Sequence, residues 1–449
     1  MPTQIKPQYE NLHEYEFYPV NLLTEYQQSI DEGLDIEAYK DVFHAVYYLP
    51  NDEIKKKLGD ALYEVVQRAK QRDHYPYCEP SDLPAIKALR KPYSYRKTAP
   101  VNMEDKLLGA WLGRICGCML GKTLEGIHSD ELIPFLKDTG NFPLHRYILH
   151  SDLTDEIRSK YKFDFDICVY ADEIDGMPVD DDTNYMVLYQ EIIAQYGADF
   201  TPADVANTWL RALPKDAYCT AERVAYCNFV NGFAPPQSAV YQNAYREWIG
   251  AQIRGDYFGY INPGNPELAA EMAWRDACIS HIKNGIYGEM FASAMLAVSS
   301  QTDNLKDIIL AGLAEIPHTS RLYEDVMSVV TGFEAGVPAE SCLAAIHQKY
   351  DEHTSHGWCH TIPNAMIVAA TLLYGGGDYA KSICMAVQAA FDTDCNAATV
   401  GSVLGMIYGS KCIPEYWSKP INNTLHTSIF GVGTVNITDR VHMTLQHIR

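Results

Sequence analysis

The chain has 449 residues and carries 58 acidic against 36 basic side chains, a formal charge of −22. That balance excludes nucleic acid and anionic membrane as main partners, since both demand surplus Lys and Arg. The polar start Met1-Pro2-Thr3-Gln4-Ile5-Lys6, and apolar runs broken well before membrane-spanning length, give the expectation of no signal peptide and no membrane anchor.

From residue 34 to 70 the apolar spacing predicts two helices, one with Ile36, Tyr39, Val42, Phe43 and Val46 on a face, the next with Ile54, Leu58, Leu62, Val65 and Val66. Pro50-Asn51 separates them. Between His74 and Pro100 the chain carries Pro76, Pro80, Pro84, Pro92 and Pro100, too many for regular structure, which predicts a linker wrapping the surface. Residues 1–100 thus read as a helical N-terminal extension with a Pro-rich linker, and residues 101–449 as the main domain.

That domain opens on Glu104 to Gly121, where Gly109, Gly113, Gly117 and Gly121 recur every four residues. Each Gly costs a helix roughly 1 kcal/mol relative to Ala, so the stripe predicts a face against which another backbone comes close. Cys116 and Cys118 in the same run read as buried thiols rather than zinc ligands. Twelve Cys with no C-x-x-C pair and no secretory signal fit a reducing, cytoplasmic home. Lys122-Thr123-Leu124-Glu125-Gly126 turns out of the helix and leaves the Glu125 carboxylate at its edge.

Residues 140–179 read as loop, except that the alternation in Lys162 to Val169 suggests one short strand. Then comes Pro178-Val179-Asp180-Asp181-Asp182-Thr183-Asn184, at the entrance of a helix-like run. The plain account of these carboxylates is a cap by Asp182, with Asp180 and Asp181 in solvent near the positive end of the helix dipole. A second stretch, Asp392-Thr393-Asp394-Cys395-Asn396, changes the odds. Laid over the first without a gap, it matches Asp180, Asp182 and Asn184 to Asp392, Asp394 and Asn396, and Tyr196-Gly197 to Tyr408-Gly409. The pair is either an internal repeat or two similarly capped helices. Two helix entrances rich in carboxylate suit Mg²⁺ or Mn²⁺ better than a soft metal.

Residues 202–230 are helical, and Arg254 to Pro266, rich in Gly, Pro and aromatics, reads as a loop that either shapes a pocket or is structural. Glu267 to Ala297 reads as one helix carrying Ser280-His281-Ile282-Lys283-Asn284-Gly285, and a lone His there is more often a core side chain than a functional one. Amphipathic helices follow over 304–350 and 363–390, with breaks at Pro317, Gly336-Val337-Pro338 and Gly375-Gly376-Gly377. Thr434 to Thr438 is the second strand candidate. The fold class is therefore all-α, a compact multi-helix domain with a helical N-terminal extension.

Together, the two acidic motifs, the Gly-striped helix and the Ser280-His281 segment resemble the ADP-ribosylglycohydrolase family over roughly residues 103–449. Asp392-Thr393-Asp394, followed by Cys395-Asn396-Ala397-Ala398-Thr399-Val400-Gly401, is the most specific part. The resemblance implies a compact all-α enzyme with two Mg²⁺ or Mn²⁺ ions in a cleft. It cleaves the bond between the anomeric ribose carbon of ADP-ribose and a protein side chain or small leaving group. It implies Asp181, Asp182, Asp392 and Asp394 as metal ligands, and Asp180 and Cys395 complete the candidate metal set. Glu125, Asp181 and Asp394 become the catalytic candidates. Gly255, Tyr257, Gly259, Tyr260, His281 and Asn284 fall where ADP-ribose is held. Three positions depart from the family's pattern: Asp180 and Cys395 stand where Thr or Ser is frequent, and Cys118 where an acid is frequent. A thiol is a poor partner for a hard cation, which suggests a steric role for Cys395.

The chemistry follows from the residues as well. A glycosidic bond breaks through an oxocarbenium-like transition state, which calls for negative charge near the anomeric carbon, a positioned water, and metal or acid help. Two rival readings stand beside this one: a hydrolase of another small N- or O-riboside using the same metals, and a non-catalytic ADP-ribose-binding relative. An α/β nucleoside hydrolase is disfavoured, because its D-T-D would follow an N-terminal strand rather than a helix-like run near the C-terminus.

Overall fold

The computed structural model describes residues 6–97 and 102–448. Most of the expected polar start (Met1–Ile5) and the linker's last proline, Pro100, lie outside them. Among the described residues, twenty-two α-helices account for the architecture, with one two-stranded antiparallel sheet, Thr424–Leu425 against Val435–Asn436. The all-α expectation holds. No helix among the described residues is long and apolar enough to cross a membrane.

The glycine stripe explains the centre of the fold. Helix Met103–Lys122 lies along helix Thr393–Tyr408 so closely that a Cβ at Gly113 would stand 2.1 Å from the Gly401 carbonyl oxygen. At Gly117 it would stand 2.1 Å from the Ala397 carbonyl oxygen. The partner helix is notched in return, because a Cβ at Gly405 would meet the Gly109 carbonyl oxygen at 2.0 Å. Side chains longer than hydrogen cannot occupy such a seam. At its end Gly121 abuts the backbone of Asp394, and Thr393 Oγ1 donates to the Gly121 carbonyl at 2.9 Å. The seam therefore sets the start of one acidic helix directly over the turn that carries Glu125.

Three expectations are corrected. Residues 162–169 form no strand; Phe165 instead sits in a single 3₁₀ turn and stacks on Phe135 with ring centroids 4.7 Å apart. The alternation there reflects aromatic packing, not sheet pairing. Residues 254–261 are not an open loop, because a 3₁₀ turn (Ile249–Arg254) runs into helix Asp256–Ile261, buried from Ala251 onward, and only the residues from Asn262 to Asn265 turn. Its glycines serve packing: a Cβ at Gly259 would stand 2.6 Å from the Ser293 carbonyl oxygen. Finally, the helix expected over 267–297 is two, Pro266–Ala277 and Lys283–Ser299, and Ser280-His281 lies in the break between them.

The N-terminal extension has helices Leu22–Asp31, Lys40–Tyr47 and Glu53–Arg68 around its own small core of Tyr18, Leu22, Ile36, Phe43, Val46, Leu62, Tyr63 and Val66. Tyr39, Val42, Ile54 and Leu58, expected on the inner faces, are exposed, so each helix buries a narrower stripe than its apolar spacing suggests. Buried charges join it to the rest: Arg246 pairs with Glu25 and Glu32, and Arg321 with Glu79 and Glu247. The proline-rich stretch includes a short helix, Leu83–Ala88, and is tied down where Trp274 Nε1 donates to the Ser81 carbonyl at 2.9 Å.

Candidate active site

The two acidic motifs meet. Helices Asp181–Tyr196 and Thr393–Tyr408 are each 16 residues long, each preceded by an Asp (Asp180, Asp392) and each closed by a Gly with positive φ, 71° at Gly197 and 77° at Gly409. Asp180, not Asp182, is the N-cap: its Oδ1 accepts the Asp182 N–H at 2.8 Å. Asp392 makes no such side-chain cap bond and is held differently, its N–H donating to Asn364 Oδ1 at 3.2 Å. The Asn residues of the two motifs also diverge in use. Asn184 Oδ1 accepts the Ser428 N–H, whereas Asn396 Nδ2 donates to Asn364 Oδ1 at 2.7 Å.

Side-chain oxygens of Asp180, Asp182 and Asp394 and the Cys118 Sγ all lie within 4.8 Å of one another, and so do those of Asp392 and Asp394 with the Cys395 Sγ. Asp394 belongs to both groups. Asp181 lies half-buried beside them, and Glu125 is exposed at the rim, in the turn after the striped helix. Neither stands within the two groups.

Two basic side chains that sequence reasoning missed hold the acids in place. Arg114, fully buried, donates from Nη2 to Asp182 Oδ1 at 2.6 Å and from Nη1 to Asp256 Oδ2 at 2.8 Å. Lys122 Nζ reaches Asp180 Oδ2 at 2.7 Å. The available signal for Arg114 was its position inside an apolar, Gly-striped helix, since a buried guanidinium demands carboxylate partners. Cys359 was also missed; its Sγ lies 3.9 Å from Asp392 Oδ2.

The electrostatics favour cations. Like charges about 4 Å apart repel by about 4 kcal/mol at an effective dielectric near 20. Against the six carboxylates of Asp180, Asp181, Asp182, Asp392, Asp394 and Glu125, the ion pairs among the described residues are Arg114 with Asp182 and Lys122 with Asp180, and Asp256 shares Arg114. Burial, then the neighbouring Asp180 and Asp394, push the Asp181 carboxyl up to about 8. Burial also raises Asp182, Asp392 and Asp394, while Glu125 is raised first by the charge of Asp394. Asp182 Oδ2, Asp392 Oδ1 and Asp394 Oδ1 are buried with no hydrogen-bond partner. Hard oxygen donors left unpaired in a buried, over-negative site fit a divalent metal.

The residues expected to hold ADP-ribose lie elsewhere in the packing. Tyr257 and Tyr260 are fully buried, their hydroxyls 2.6 Å from His447 Nδ1 and Ser402 Oγ. Gly255 abuts the Glu289 carbonyl oxygen, and Gly259 fits against helix Lys283–Ser299. His281 is buried with Nδ1 2.8 Å from Ser280 Oγ, and burial, then the charge of Arg254, hold its pKa well below the usual imidazole range. Asn284 Nδ2 donates to Glu79 and Glu247. As packed, none of these six side chains or backbones offers a free surface to a ligand. A cavity of about 1010 Å³ lies instead between the N-terminal extension and the main domain, lined by Tyr15, Tyr26, Asp31, Trp248, His356 and His360 among others. None of the clustered acids lines it, though His360 follows Cys359 directly.

No curated protein matches the sequence. A solved structure titled "ADP-ribosylglycohydrolase-related protein complex" is similar at 16% identity, covering 77% of this chain and 97% of that one, with a TM-score of 0.39. The family described as ADP-ribosylglycohydrolase matches residues 99–446, nearly all of the chain after its N-terminal extension, and the chain belongs to that family.

Proposed function

We propose that the protein hydrolyses the glycosidic bond at the anomeric ribose carbon of an ADP-ribosylated protein or small molecule, using two Mg²⁺ ions, with Mn²⁺ able to replace them. The observation that carries this reading is the shared Asp394: two groups of buried ligand atoms meet at one carboxylate, and each includes an oxygen without a partner. Asp182, Asp392 and Asp394 would hold the ions, with Asp180, Asp181, Cys118 and Cys395 around them. Divalent ions bound there supply polarisation of ribose hydroxyls and a water of lowered pKa.

The chain's own groups do the rest. Arg114 occupies one oxygen of Asp182 and leaves the other buried without a hydrogen-bond partner. Glu125 and Asp181 are the least buried of the six acids, which supports a role in taking a proton from the attacking water once bound cations offset the charges that raise their pKa values. The first 100 residues act as an extension to a catalytic domain over 101–449. Its Asp31 carboxylate lies 2.9 Å from His356 Nε2, in the helix that also carries Cys359. Incubation with ADP-ribosylated peptides and small molecules should release ADP-ribose with Mg²⁺ and not with EDTA. Absence of release from every ribosylated substrate, or release indifferent to EDTA, would sink the proposal.

Asp180 gives a sharper expectation. Its two oxygens are committed to the Asp182 N–H and to Lys122, so its charge is offset by an ammonium rather than added freely to the site. Asp180→Thr keeps a cap of nearly equal quality but leaves Lys122 unpaired beside the metal ligands. The expected result is weaker Mg²⁺ binding, read as a higher midpoint when Mg²⁺ is titrated into EDTA-stripped protein, with activity retained at abundant Mg²⁺. The double variant Asp180→Thr/Lys122→Met should recover most of the lost affinity. Unchanged midpoints in the single variant would show that neither charge bears on the ions.

A further inference from the structure

A second cluster of ligating groups lies on the surface. His128, Asp130 and His353 each offer a ligand atom, and the three lie within 4.8 Å of one another. His353 Nε2 is 3.3 Å from Asp130 Oδ1, and the rings of His128 and His353 stand 4.7 Å apart between centroids. Ligands about 2.0 Å from a tetrahedral zinc ion are about 3.3 Å from each other; the His353–Asp130 pair already stands at that spacing, and the His128 atom lies within 4.8 Å of both. The preceding residues also orient His353. Asp351 Oδ1 accepts its backbone N–H at 3.0 Å and lies 3.1 Å from its Nδ1, which turns Nε2 toward Asp130. A carboxylate behind an imidazole in this way fixes the tautomer and ring angle of metal-binding histidines.

We propose that His128, Asp130 and His353 form an exposed site for a borderline divalent ion of the zinc class, separate from the acidic cluster, with Asp351 as its positioning residue. Imidazole nitrogen selects zinc and its neighbours over Mg²⁺, so the two sites discriminate by donor type. The site joins two segments that lead to the acidic cluster. His128 follows the Glu125 turn by three residues, and His353 precedes the helix Ser355–Cys359, whose Cys359 lies against Asp392. The same two segments are already tied where the Ser129 N–H donates to the Glu352 carboxylate at 3.1 Å. A metal adds a second clasp beside that bond.

The test is calorimetric titration of Zn²⁺ into untagged full-length protein in excess Mg²⁺, repeated with Co²⁺ to read its visible absorption. One equivalent should bind in the wild type and equally in Asp394→Asn. His128→Ala and His353→Ala should abolish it, and Asp351→Asn should weaken it roughly 10- to 100-fold. All these replaced side chains other than Asp394 are at least partly exposed, so the metal-free variants should melt as the wild type does. Binding that is absent in the wild type, unaltered in His353→Ala, or lost in Asp394→Asn alone would overturn the proposal.

Discussion

Asp394→Asn is expected to leave a folded protein whose release of ADP-ribose falls at least on the order of a thousandfold, equivalent to about 4 kcal/mol of transition-state stabilisation. Asp394 is the one side chain common to both groups of candidate ligands, and its Oδ1 is buried with no other partner. The amide keeps the shape of the carboxylate and removes the charge that both ions need. Folding without metal should be spared, because the substitution relieves repulsion from Asp180 and Asp392. Kinetics with saturating Mg²⁺, beside thermal melts with and without the ion, separate the two effects. Activity within a fewfold of wild type would refute the metal-site role.

Gly117→Ala should be among the most damaging single-methyl changes in the protein. The added Cβ would lie 2.1 Å from the Ala397 carbonyl oxygen, and the listener on the other side is backbone, which cannot swing aside as a side chain would. Overpacking costs about 1–3 kcal/mol where neighbours yield, and more where they do not. An exposed helical Gly→Ala would instead stabilise by about 1 kcal/mol, so even the sign is diagnostic. The helices must part, and that moves Asp394 away from the Asp182 side of the site. Denaturant melts should show a loss of about 3 kcal/mol or insoluble protein, with weaker Mg²⁺ binding in whatever folds. Wild-type stability would mean that the seam is not as tight as described.

Some of this was legible from the chain alone. Glycines at every fourth position of a helix are costly unless a backbone passes close by, and two acid-x-acid entrances 212 positions apart, Asp180 and Asp392, follow one pattern. Both features are local, so spacing and propensity suffice to read them. The same local rules misread residues 254–266, because Gly and aromatic residues serve a pocket loop and a tightly packed helix equally well. They misplaced the cap for a similar reason: any of three adjacent Asp residues can accept an N–H, and the choice of Asp180 goes with Asp182 being held by Arg114 from another helix.

By itself, then, the sequence determined the all-α class, the close-approach face of Met103–Lys122 and the pairing of the acidic motifs. Only the tertiary structure decided which carboxylates share a ligand group, that Lys122 and Arg114 partly neutralise them, and that Tyr257, Tyr260 and His281 are sealed in the core. The reason is that burial and charge pairing depend on which segments pack together across the chain. Here that packing is fixed by a seam of glycines whose partner helix begins some 270 residues away, at Thr393 against Gly121.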